Sequence, residues 1–229
     1  MLGDAVNHNA EAVLAPALIG RRSFLAGAAC SVAAASLLGG CAGGLGLGRV
    51  DTSIYGPVPD EPYPIPAADI SQVDPIYLRR TVNYTGDEPP GTIVVDLKTH
   101  HLYHVMEDGT AVRYGVNGPR EAFEWSGEAF IERKAHWPIW TPTPGQISRD
   151  PSLVEWRGGM PPGLNNPLGS RALYLYQNGV YTLATIYGTS DPSSLGRGVS
   201  SACIGLLNQD IIHLYERVPL GTRVVILPA

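Results

Sequence analysis

Val199-Ser200-Ser201-Ala202-Cys203-Ile204-Gly205-Leu206 sets a single thiol in a run of small residues. Cysteine outside a disulfide is among the most buried residue types, and most solitary cysteines are inert fillers of a core. The neighbours of this one point elsewhere. Two serines and an alanine before the thiol leave its approach open, and they leave backbone N–H groups to line an oxyanion site, as acyl transfer requires. Cys203 is the candidate nucleophile.

Working outward, the chain reads Arg171-Ala172-Leu173-Tyr174-Leu175, Ile186-Tyr187-Gly188-Thr189, Asn208-Gln209-Asp210 and Val218-Pro219 around that turn. Upstream lie Trp137-Pro138-Ile139-Trp140-Thr141-Pro142 and Asn165-Asn166-Pro167-Leu168-Gly169, and a terminal strand follows Gly221-Thr222. In this order and spacing the pattern, from about Pro90 to Leu227, resembles the L,D-transpeptidase catalytic domain of bacterial envelopes. That family carries Ile-His-Gly-Thr, a fixed interval, then Ser-x-Gly-Cys, an apolar residue and arginine. The chain departs from it at three chemical positions. Tyr187 stands for the general-base histidine, Ala202 for the glycine before the nucleophile, and Gly205 for the arginine after it.

The resemblance implies a mainly β fold, an L,D-transpeptidase-like mixed β-sandwich or barrel with one or two short helices. It also implies peptide exchange on peptidoglycan stem peptides through a thioester on Cys203, passed to an acceptor amine, with no metal or organic cofactor. Cys203, Tyr187 and Ser201 are the expected catalytic residues, and Ala202, Ser200, Gly188 and Arg197 the expected oxyanion and substrate contacts. Arg171 is a second candidate for a substrate carboxylate, against an ordinary surface role for both arginines. A phenol with a pKa near 10 is a poor base for a thiol near 8.5. The alternative reading is therefore a catalytically impaired peptidoglycan-binding or structural envelope module.

The 229 residues carry a net charge of −5 with scattered arginines, so no basic patch points to nucleic acid. Gly20-Arg21-Arg22-Ser23-Phe24-Leu25 opens an Ala/Gly-rich apolar run ending at Leu38-Gly39-Gly40-Cys41, similar to a twin-arginine export signal with a lipoprotein box. Residues 1–41 are read as that signal, and the product as exported to the periplasm. Cleavage before Cys41 makes it a lipidated membrane attachment, whereas cleavage just beyond gives a soluble product. Cys30 leaves with the signal, so the mature body holds no pair of cysteines for an internal disulfide. Residues 42–90, rich in glycine and then proline, read as a tether whose 71–84 stretch packs on the domain flank. Residues 91–229 are the domain.

Strand patterns fall at 92–97, 101–106, 111–116, 129–135, 172–176, 181–186 and 223–227, with hairpin turns at Glu107-Asp108-Gly109-Thr110 and Asn178-Gly179. One helix follows the nucleophile, with Asn208 as its cap and Pro219 beyond its end, and a weaker one begins at Asp150-Pro151 inside the long 141–169 connection, a cleft wall or lid. His100, His101 and His104 alternate across a strand and lack further ligands, so they read as solvated or hairpin-packed rather than metal-binding. His213 is expected at the surface, and His136 beside Trp137 is a displaced alternative base, ranked behind a structural role. Trp125, Trp137, Trp140 and Trp156 are core residues by default, with stacking in a cleft as the alternative.

Overall fold

The structure is a computed structural model that describes residues 50–119, 126–199 and 203–228. The chain divides into two compact units, Met1–Gly43 and Gly44–Ala229, and the described residues belong to the second. The expected export signal at residues 1–41, Trp125 and residues Ser200, Ser201 and Ala202 lie outside the described residues. Among the described residues, no helix is long and apolar enough to cross a membrane.

The strands are β1 (Arg80–Asn83), β2 (Ile93–Asp96), β3 (His101–Val105), β4 (Thr110–Gly115), β5 (Gly118–Pro119), β6 (Gly127–His136), β7 (Arg171–Gln177), β8 (Val180–Thr189), β9 (Gly198–Val199), β10 (Ile204–Leu207) and β11 (Arg223–Ile226). Nine of them form one mixed sheet in the order β1-β4-β3-β2-β11-β6-β7-β8-β10, and β5 pairs with β9 separately. The fold is mainly β, as expected. Ile93, Val94 and Val95 are all buried, since β2 lies inside the sheet between β3 and β11 with both faces covered. The β7–β8 hairpin closes through Asn178 and Gly179, both at positive φ, the geometry that an Asn-Gly pair supplies at least cost.

One core joins the sheet to helix α2 (Asn208–Tyr215), through Ile131, Leu173, Leu175, Ile186, Ile204 and Leu206 on the strands and Ile211 and Leu214 on the helix. Lys134 on β6 donates to the carbonyls of Tyr215 and Val218 at 2.6 and 2.7 Å, placing a cation where the helix leaves its last carbonyls open. Asn208 is not the cap that its position suggested; Leu207 holds that place with no side-chain hydrogen bond. The Asn208 amide instead spans two loops, accepting from the Ser170 N–H at 2.9 Å and donating to Ser190 Oγ at 2.9 Å.

The tether reading fails from Val50 onward. The flank packing expected of 71–84 extends over the preceding residues, and β1 is an edge strand of the main sheet. Tyr55, Val73 and Leu78 bury against Leu195 and Leu207. Gln209 donates to the carbonyls of Gly56 and Pro66, while the fully buried Asp210 accepts from Tyr55 Oη at 3.1 Å and faces Arg79 at 3.3 Å. Burial pushes the Asp210 carboxyl up to about 7, with Arg79 and the Tyr55 hydroxyl pulling the other way. Further along, Glu61 takes two hydrogen bonds from Arg171, at 2.6 and 3.0 Å, and one from Trp137 Nε1 at 2.7 Å. A proline-rich segment cannot fill a sheet interior, but it can run across one as a strap, because its missing donors need no ladder partners.

Candidate active site

Cys203 immediately precedes β10, which runs parallel to β8 with Gly205 opposite Tyr187 and Ile204 opposite Ile186. The side-chain period of two puts residue 203 in phase with 205, and Cys203 and Tyr187 line the same hollow. The Cys203 thiol donates to the Leu183 carbonyl at 3.9 Å. Leu183 holds φ at +64° on β8, rare for a residue with a branched side chain, and is 64% exposed. A backbone outlier whose carbonyl meets a candidate nucleophile is the kind of strain that concentrates at functional sites.

Asn117 lies beneath the cysteine strand and is 2% exposed. Its Oδ1 accepts from the Gly205 N–H at 2.9 Å and its Nδ2 donates to Ser194 Oγ at 2.9 Å. The two backbones exchange hydrogen bonds as well, Asn117 N–H to Gly205 O at 2.9 Å and Gly205 N–H to Asn117 O at 3.3 Å. The Tyr187 hydroxyl makes a long contact with the same Oδ1, at 3.5 Å. A Cβ at position 205 would sit 2.4 Å from Asn117 Oδ1 and 2.8 Å from its Cγ. Glycine at 205 is thus required by the asparagine at 117, and two of the three departures from the family pattern, Tyr187 and Gly205, meet on one side chain.

The thiol lies where two hollows join. The first, about 450 Å³, is lined by Tyr187, Leu153, Asp150, Pro167 and Val199. The second, about 620 Å³, is lined by Arg133, Tyr174, Tyr181, Thr185, Leu183 and Ile139. Cys203, Trp140, Gln146, Arg149 and Leu168 border both, so these are two arms of one cleft. The roof is helix α1 (Pro144–Arg149) and a 3₁₀ turn over Pro151–Trp156, so the 141–169 connection is a cleft wall as expected. Its first helix, absent from the sequence reading, begins with a full capping box between Thr143 and Gln146 and a proline in its first turn. Burial raises the Tyr174 and Tyr181 hydroxyls above the ordinary phenol range, so both remain neutral donors beside the thiol.

Of the residues expected from sequence, Cys203 and Tyr187 share this cleft, and Trp140 borders both arms. Ser200, Ser201 and Ala202 lie outside the described residues. Gly188 is buried, its N–H donates to the Leu168 carbonyl, and an added Cβ would lie 2.4 Å from Asn208 Oδ1, so the position is closely packed. Arg197 is exposed on the turn before β9 and is absent from both arms. Arg171 is 4% exposed and committed to Glu61. His136 is 3.5 Å from Glu61, away from the cleft lining, and so is no base for Cys203. Trp137 binds the strap. His101 and His104 are buried rather than solvated, His101 Nε2 lying 3.1 Å from the Ile76 carbonyl, and no cluster of potential metal ligands occurs among the described residues. His213 is half-buried, not at the surface, with Nδ1 2.7 Å from Tyr114 Oη; burial, then Arg79, Arg217 and His104, push it down to about 3.

Sequence reasoning missed Arg133, Arg149, Asn117 and Leu183. An arginine on an alternating strand reads as solvated surface, and only the folded register shows that Arg133 faces Tyr174 with its guanidinium 4.3 Å from the ring centre. Leu183 carried no signal at all, because leucine is among the residues least expected at positive φ.

The resemblance implied a mainly β fold with short helices, and the structure has it, with Cys203 before β10 in a cleft shared with Tyr187 and walled by α1. The L,D-transpeptidase catalytic domain family matches residues 90–226, more than half of the chain, and the chain belongs to that family. A putative L,D-transpeptidase of Fuscovulum blasticum is 42% identical over 101 residues, covering 44% of this chain and 49% of that protein. The probable L,D-transpeptidase ErfK/SrfK of Escherichia coli is 35% identical over 144 residues, 59% of this chain and 43% of that one. The chain thus spans about half the length of the curated relatives it matches. A Brucella melitensis crystal structure described as a probable carnitine operon oxidoreductase is 42% identical over 69% of this chain and 99% of that one, with a TM-score of 0.47. That description belongs to that protein.

Proposed function

We propose that this is an exported cell-wall cysteine acyltransferase that exchanges peptide bonds on peptidoglycan stem peptides. The observation that carries the reading is the place of Cys203, at the junction of two open arms, with room for a peptide on either side of the sulfur. Cys203 Sγ attacks the donor carbonyl next to a D-amino acid, and the C–N bond breaks as the leaving amine takes the proton given up by the thiol. An acceptor amine then attacks the thioester, the C–S bond breaks, and the amine's proton returns to sulfur. One amide is broken and one made, so the exchange balances without an oxidant or a cofactor. Backbone N–H groups of Ala202 and Cys203 are the proposed oxyanion donors, with Ser200 and Ser201 shaping the turn. Tyr187, directed at Asn117 before substrate binds, is the proposed donor to the thioester oxygen. Export through the Arg21-Arg22 signal, with lipid on Cys41, completes the reading. Labelling with a fatty acid tests the lipid, which Cys41→Ala should abolish.

A second reading, a binding module that has lost turnover, is favoured by one observation: among the described residues, no histidine lines either arm. Mass spectrometry of the purified protein after exposure to a carbapenem, a class that acylates this family's cysteine, separates the two. A stable adduct on Cys203, absent in Cys203→Ala, is expected; an unmodified thiol overturns the enzyme in favour of the module.

A further inference from the structure

The two arms differ in charge. The arm beside Tyr187 sets Asp150 next to Arg149, so its charges compensate. The arm beside Tyr174 contains Arg133 and Arg149 and, among the described residues, no carboxylate. Neither arginine forms an ion pair among the described residues.

A fault in the sheet register aims Arg133 into the cleft. On β6, Ile131 pairs with Leu175, yet Arg133, not Glu132, pairs with Tyr174. One extra residue at this bulge advances β6 by one position relative to β7. Without it, Glu132 would stand opposite Tyr174 and the arm would carry an anion at that point. With it, a guanidinium lies over the Tyr174 ring, in a geometry that fixes the fork while leaving its N–H edges open. Bulges that re-aim a side chain beside a site are a recurring device.

We propose that Arg133 is the specificity residue for the terminal carboxylate of the leaving D-amino acid, bound in the Tyr174 arm, with the acyl portion of the donor in the Tyr187 arm. This rests on the reading of Cys203 as the acyl-transfer nucleophile. The bound carboxylate takes charge-assisted hydrogen bonds from Arg133, a task for which the fork is suited and the ammonium of lysine less so. By microscopic reversibility the incoming amine occupies the place of the outgoing one. An acceptor bearing a carboxylate beside its amine is therefore favoured over the same amine without it.

The test measures binding apart from turnover. Full-length protein carrying Cys203→Ala is titrated by calorimetry with a stem tetrapeptide ending in D-alanine, as the free acid and as the C-terminal amide. The acid should bind roughly ten- to hundredfold more tightly, the factor for a charge-assisted contact. Arg133→Gln should bring the ratio to within about threefold, Arg133→Lys should keep part of it, and both should retain the unfolding midpoint of the parent. Equal binding of acid and amide, no measurable binding of the acid, or an undiminished ratio in Arg133→Gln overturns the assignment. If the ratio behaves as stated while the protein with Cys203 intact exchanges no D-alanine, acyl transfer is overturned and the carboxylate site stands.

Discussion

Replacing Gly205 by alanine adds one methyl group where the structure leaves no room for it. Its Cβ would lie 2.4, 2.7 and 2.8 Å from Oδ1, Nδ2 and Cγ of Asn117, so the carboxamide must retreat by about an ångström to reach ordinary contact. It cannot do so freely, since Oδ1 is held by the Gly205 N–H and Nδ2 by Ser194, both at 2.9 Å and both buried. Overpacking costs about 1–3 kcal/mol, and each buried polar group left unpaired costs about 1–3 kcal/mol. We expect Gly205→Ala to lose about 2–5 kcal/mol in urea unfolding. Alkylation of Cys203 should slow or speed in step, because the same strand positions the thiol. The decisive comparison is Asn117→Ala alone and combined with Gly205→Ala. Once the carboxamide is gone, the added methyl should cost under about 0.5 kcal/mol, so the pair is strongly non-additive. A silent Gly205→Ala, or simple additivity of the two changes, refutes the reasoning. On the same argument, arginine, the family's residue at this position, cannot be restored at 205 while Asn117 remains.

Tyr187→His should speed carbapenem acylation by about 10²-fold or more and move the alkylation profile of Cys203 to lower pH, with both effects lost on adding Cys203→Ala; an unchanged rate shows that the missing base is not what limits this cleft. Glu61→Ala should cost about 3 kcal/mol, because it leaves the buried Arg171 cation uncompensated, and should expose residues 56–66 to limited proteolysis; retained resistance refutes the strap. Two buried groups should oppose each other in acid. Asp210 is raised from 3.8 to about 7, so its contribution to stability grows as pH falls through 7 and is complete below about 4. His213 is lowered from 6.5 to about 3, so its contribution is present above 6.5 and drains away as pH falls toward 3. Acid unfolding curves should become steeper in Asp210→Asn and shallower in His213→Gln, and the reverse order refutes the assignment.

Seven of the nine strands of the main sheet, all but β1 and β10, were legible because their apolar residues alternate or run continuously between turn residues, and Asn178-Gly179 announced its hairpin by backbone chemistry alone. Cys203 and Tyr187 were legible as neighbours only through the spacing that carries the resemblance; β10, the strand that follows the cysteine, and its parallel pairing with β8 were not read from the sequence. Leu183 at positive φ and the short helix α1 are local features that the residue pattern did not announce; most of the rest escaped because its partner is distant in the chain. Tyr55 looks like an aromatic in a proline-rich linker until it meets Asp210, 155 residues away. Asn208 looks like a helix cap until Ser170 and Ser190 claim its amide. Arg133 looks like solvated surface until a bulge turns it toward Tyr174.

The strap has a consequence for the order of assembly. Its fastenings close loops of 110 residues from Glu61 to Arg171, 143 from Pro66 to Gln209 and 155 from Tyr55 to Asp210. Residues 50–78 leave the ribosome early, yet the surface they cover is finished only when α2 and β10 exist. Contacts of such long sequence separation are slow to form, because the entropy of closing the loop is spent before any contact repays it. Strap docking is then a late event in folding. A fragment begun at residue 90, where the family match starts, would keep Cys203 but leave Arg171 without its carboxylate and Asp210 without Arg79 and Tyr55.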